Sequence, residues 1–143
     1  MTNTARNPTT SGFTLDAGEF LKAAELLLNR STVLSLPVFF LFSRAIELSL
    51  KSYLLRVGVS GQALGSRELG HNLVALLRAA NERGLADHVQ LDQLELGALD
   101  LLSHEYMSTR LGYRDTGGTY YLPRIDLTET AARKLFHKIN SLN

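Results

Sequence analysis

The sequence predicts an all-α protein, a four- to five-helix up-and-down bundle. Three observations lead there. Apolar residues recur at three- and four-residue spacing in one segment after another, and no segment shows the two-residue alternation of a half-buried strand. Hydrophobic residues make up 45% of the 143 and charged residues 20%, which supplies one domain with a core and excludes disorder of the whole. Finally, the stretch 37–57, PVFFLFSRAIELSLKSYLLRV, is too apolar for a surface helix and calls for protein on most of its sides.

Residues 1–12 are rich in Thr, Asn and Ser and lack an apolar signal region, so they read as a disordered tail ahead of a single domain over 13–143. Asp16 stands where it can cap a first helix ending near Arg30, with Phe20, Leu21, Ala24, Leu27 and Leu28 inward. Ser35 caps the second helix, and Pro37 falls early in it, where its missing N–H costs little. Gly58 follows where a left-handed residue ends a helix. After a glycine-bearing loop over 59–70, a third helix spans 71–83, with Leu73, Leu76, Leu77 and Ala80 inward and Gly84 as its stop. The fourth covers 91–109 and keeps Leu91, Leu94, Ala98, Leu101, Leu102 and Tyr106 in register. An irregular loop rich in Gly and Tyr follows over 111–124. Asp126 and Glu129 then form a capping-box-like start for a last helix through Ala131, Leu135 and Ile139.

Fifteen basic and 14 acidic side chains leave a net charge of +1, so a nucleic-acid partner needs a local basic patch. The absence of cysteine excludes disulfides, zinc–thiolate sites and cysteine nucleophiles, and suits a reducing cytoplasm. The apolar run 33–42 is broken by Ser35 and Pro37 and is far shorter than the roughly 20 residues of a membrane span. A cytoplasmic protein with no membrane partner is expected.

Arg44, Glu47 and Lys51 fall within about 60° of one another on the second helix. Such a stripe either faces a functional cleft or forms a ladder of ion pairs along the helix's one wet side, each worth about 0.2–0.5 kcal/mol. Phe40, Leu48 and Leu55 share the stripe, so an ion-paired seam, within one chain or between two, is the favoured reading. His71 stands at a helix start, where its ring can cap, pack, or donate to a carboxylate. Tyr106, Arg110, Tyr113, Arg114, Tyr120, Tyr121 and Arg124 form the densest mixture of aromatic rings and guanidiniums. Arginine forks suit phosphate or carboxylate and tyrosine faces stack on bases, so these residues either bind an anion or anchor their loop to the bundle. Arg110 is the leading candidate among them. His88 and His104 lack the spacing and the further ligands of a metal site, and no metal or cofactor is expected. The run GQALGS (61–66) lacks the strand and the Gly-Lys-Ser/Thr of a phosphate loop, and the adjacent Ser103 and His104 point about 100° apart on a helix.

The run SRAIELSLKSYLL (43–55), Gly58, and GHNL (70–73) together resemble the front half of the HEPN family of small helical domains. Ala23 and Ala24 before Leu26, Leu27 and Leu28 are compatible with that family's first helix, and the likeness spans residues 13–83. The resemblance implies a helical bundle that forms a homodimer and binds, or acts on, RNA or nucleotides. Ribonuclease members of the family carry an arginine followed, after four to six residues, by histidine. Here Arg110 is followed at those places by Asp115, Thr116 and Gly117, and the next histidine is His137. Metal-free RNA cleavage needs a group that exchanges protons near neutral pH, which histidine supplies and a loop aspartate does not. The leading expectation is therefore a non-catalytic, HEPN-like binding or interaction module, homodimeric and with no catalytic residue. It would take RNA, a nucleotide or another anion through Arg110, Arg114, Tyr106, Tyr113 and His71. Two alternatives stand beside it. One is a metal-independent RNase or toxin–antitoxin component with a displaced catalytic residue. The other is a structural partner protein in a nucleotidyltransferase-type pair.

Overall fold

The apolar stretch that begins at Pro37 lies at the centre of the protein as helix α2, Leu36–Arg56. A computed structural model describes residues 8–30, 35–108 and 121–143, and among them there are only helices and turns. Around α2 stand α1 (Thr10–Arg30), α3 (Gly61–Leu64), α4 (Leu73–Glu82), α5 (Gln93–Met107) and α6 (Ile125–Leu142), and α2 touches all five. Of the 21 residues of α2, 14 are buried, so this one helix is the axis of an all-α bundle. Phe39, Phe42, Ile46, Leu50 and Leu54 meet Leu73 and Leu76 of α4, Leu102 of α5, and Leu135 and Ile139 of α6 in one core. Each such side chain contributes about 1.5–3 kcal/mol by leaving water.

Serines inside so apolar a helix need partners: Ser52 Oγ reaches across to α1, donating to the Thr10 carbonyl at 3.1 Å, and two others find theirs locally. Ser43 Oγ donates to the Phe39 carbonyl at 2.8 Å and Ser49 Oγ to that of Ala45 at 2.7 Å. The C-terminus closes as the sequence predicts. Gly58 takes φ +103°, and the amides of Gly58 and Val59 donate back to the carbonyls of Leu55 and Leu54.

Helix boundaries depart from expectation where a better cap competes. Thr9 Oγ1 accepts from the Gly12 amide at 2.9 Å, so α1 starts at Thr10 and Asp16 lies inside it. Residues 10–12, assigned above to the tail, are thus helical. The loop 59–70 contains the single turn α3, capped by Ser60. Asn72, not His71, caps α4 by accepting from the Ala75 amide at 3.0 Å. Asp92 and Glu95 form a reciprocal capping box at the start of α5, with bonds of 2.8 and 2.9 Å, so that helix begins at Gln93 rather than 91. Asp126 caps nothing; it sits in the first turn of α6 and pairs with Arg124 at 2.7 Å. Leucines occur around most of α5, and Leu94 and Leu101, which keep the apolar spacing, are 67% and 44% exposed while Glu95, Ser103 and Glu105 are buried. No helix among the described residues is long and apolar enough to cross a membrane.

Candidate functional site

The charged stripe of α2 does not face water. Glu47 is 1% exposed and Lys51 8%, because α4 and α5 close over this part of the helix. The closure is fixed by Ser103 of α5, whose Oγ accepts from the Leu73 amide at 3.0 Å in the first turn of α4. That bond seats the start of α4, and with it His71, against the last turn of α5, which carries Tyr106. Three elements distant in sequence therefore meet at one carboxylate.

Glu47 Oε1 accepts from Tyr106 Oη at 2.5 Å and pairs with His71 Nδ1 at 2.9 Å. Its Oε2 accepts from Lys51 Nζ at 2.8 Å and Arg44 Nη1 at 3.1 Å. An ionised carboxylate offers about four acceptor directions, and four donors occupy them. Burial by itself would raise the Glu47 pKa, but hydrogen bonds from Lys51, Tyr106 and His71 outweigh it and hold the carboxyl below its usual range. Burial lowers the Arg44 pKa less than the neighbouring Glu47 charge and the Tyr106 and Glu47 bonds raise it. Burial, then the Glu47 charge, pushes the Tyr106 phenol well above its ordinary value. Glu47 thus stays charged and Tyr106 stays protonated, and neither is free to move a proton near neutral pH.

Aromatic rings frame this centre. Tyr106 meets His71 edge to face at 5.5 Å and Phe40 at 5.9 Å, and the Arg44 guanidinium lies 5.2 Å from the centre of the Phe20 ring. Exposure is graded across the group. The Glu47 side chain is 1% exposed, that of Lys51 10%, that of Arg44 27% and that of His71 60%. Two fixed positive charges meet one negative charge, so the centre carries one positive charge in excess, and its two most exposed members are a guanidinium and an imidazole held on the two oxygens of Glu47.

The structure thus unites five residues that the sequence offered as two unrelated groups: Arg44, Glu47 and Lys51 of the stripe, with His71 and Tyr106. The ion pairs expected along the stripe form within one chain, buried rather than on a wet side. Arg110, Tyr113 and Arg114 lie outside the described residues. Tyr121 is 67% exposed and Arg124 pairs with Asp126 at the surface. Phe20 reads from the sequence as an inward residue of the first helix and Phe40 as an apolar member of the stripe, and neither carries a signal of a site by itself. Among the described residues no group of three or more His, Asp or Glu side chains is placed to hold a metal ion.

No family model, no curated protein and no solved structure matches this chain.

Proposed function

We propose that this protein is a non-catalytic, HEPN-like binding module that takes the phosphate of an RNA or a nucleotide over the Arg44–His71 edge of the Glu47 centre. The single observation that supports this most is the charge excess: two cations surround one saturated carboxylate, and the more exposed cation and an open imidazole both reach the surface from it. An anion at that edge neutralises the excess and meets donors already held in place. The sequence also contains Arg110, Tyr113 and Arg114, residue types that clamp phosphate and stack on bases. Saturation of Glu47 and the raised pKa of Tyr106 weigh against acid–base chemistry at the centre. The absence of cysteine agrees with a cytoplasmic setting.

We read the working form as a homodimer, as the resemblance implies, and Leu94 and Leu101, exposed one heptad apart on α5, are compatible with a second copy covering them. A monomeric mass at micromolar concentration would refute that part.

Fluorescence anisotropy of a labelled short RNA at low salt tests the binding reading. Binding is expected, weakening as salt rises with a log–log slope of about −0.7 per phosphate contact. No binding at low salt would leave an interaction role only. Incubating the same RNA with the protein and a metal chelator should return it intact; cleavage would favour an RNase with a displaced catalytic group.

A further inference from the structure

The bond between Glu47 and His71 decides more than the ring's position. Oε1 of an ionised carboxylate only accepts, so the nitrogen 2.9 Å away, Nδ1, must carry the hydrogen. In a neutral imidazole one nitrogen donates and the other accepts, which leaves a lone pair on Nε2. The ring cannot easily turn away from that arrangement. Tyr106 stands edge-on to it at 5.5 Å, and the backbone on its C-terminal side is fixed at once by the Asn72 cap. The His71 side chain is 60% exposed, and Nε2 has no hydrogen-bond partner among the described residues. Two unlike groups therefore reach the surface from the two oxygens of one carboxylate. Arg44 is a permanent donor and cation, whereas Nε2 of the neutral His71 ring is an acceptor.

An acceptor beside a phosphate site repels a bare dianion and welcomes a ligand that brings its own donor next to the charge. We infer that Glu47 makes His71 a fixed hydrogen-bond acceptor that selects phosphate esters carrying a hydroxyl beside the phosphate. This rests on the anion-binding reading above and adds a specificity-determining residue to it. Arg44 holds the phosphate oxygens, and the neighbouring hydroxyl donates to Nε2. A ligand without that hydroxyl leaves Nε2 facing phosphate oxygen with no proton between them, and loses both the bond and the relief of lone-pair repulsion. Glu47 acts only by fixing which nitrogen carries the hydrogen.

Adenosine 3′-monophosphate and 2′-deoxyadenosine 3′-monophosphate differ only in the hydroxyl next to the phosphate, and calorimetric titration of the full chain with each, at low salt and about pH 8, tests the inference. The ribonucleotide is expected to bind about tenfold more tightly, the scale of one hydrogen bond at a half-open site. His71→Phe keeps a ring against Tyr106 but removes the acceptor, and should bring the two affinities together. Nitrogen-15 spectra of the free protein read the ring directly and should show hydrogen on Nδ1 and none on Nε2. Equal affinities for the two nucleotides in the native chain, or hydrogen on Nε2, would overturn the inference while leaving the anion site standing. Binding of neither nucleotide would overturn the anion site and this inference together.

Discussion

Glu47 and Glu95 are both 1% exposed and both bonded to a lysine, yet their surroundings are built for different ends. Glu95 serves its own helix. Its Oε1 accepts from the Asp92 amide at 2.9 Å and from Lys134 at 2.7 Å, and its Oε2 finds no partner among the described residues. With the Asp92 carboxylate of the capping box, two negative charges stand near the one positive charge of Lys134, and the result caps α5 and ties it to α6. Glu47 instead gathers four side-chain donors from three elements, two of them cations, and the outermost two open to solvent. Burial of a carboxylate is thus no mark of a site. A shell with more positive charge than its carboxylate neutralises, graded towards the surface, is what separates the two.

Deleting each carboxylate probes this difference most strongly. Glu47→Ala leaves buried Lys51 and partly exposed Arg44 unpaired and should destabilise the fold by about 3–5 kcal/mol in urea unfolding. Glu95→Ala should cost only about 1–2 kcal/mol, the scale of a lost helix cap. Equal losses would erase the distinction. Next in size, Tyr106→Phe removes one donor from a buried charge and should cost about 1.5–3 kcal/mol, with no change in helix content by circular dichroism.

Acid should reveal the same centre. The Glu47 carboxyl is held below its unfolded value of 4.5, so its contribution is complete above that pH and is lost as pH falls through the lower folded value. Urea midpoints of the native chain should drop on acidification below 4.5, and Glu47→Gln should flatten that part of the profile. An unchanged acid slope in the variant would remove Glu47 as its source. The smallest effect is expected at the rim: His71→Ala should change stability by less than about 1 kcal/mol, because its ring is largely exposed. A larger loss would make His71 a structural member of the centre rather than its open edge.

Much of this architecture was legible in the chain, and the reasons are local. The apolar run of α2, Pro37 in its first turn, and Gly58 and Gly84 at φ of +103° and +98° are features that a few neighbouring residues decide. Competing caps were harder to rank. Thr9 and the Asp92–Glu95 box are the same chemistry as Asp16 and the Asp126–Glu129 pair, and only the packed helices show which are used. The inward face of α5 was misread because leucines at 94, 96, 99, 101 and 102 cover most of its circumference, while buried Glu95, Ser103 and Glu105 fit no apolar pattern. The candidate site was legible in its members and not in its assembly. Arg44, Glu47 and Lys51 are joined by helical spacing, but His71 lies 24 residues from Glu47 and Tyr106 lies 59, and no local spacing reports such a meeting.

The central claim is that the excess charge at Glu47, rather than surface basicity in general, holds a phosphate. Anisotropy titrations of one labelled short RNA at low salt with the native chain, Arg44→Gln and Lys134→Gln test it most directly, since each variant removes one cation paired to a buried glutamate. Arg44→Gln should weaken binding by about tenfold or more, the loss expected for a charged hydrogen bond, and Lys134→Gln should leave it unchanged. Equal weakening by both variants, or native affinity in Arg44→Gln, would contradict the account.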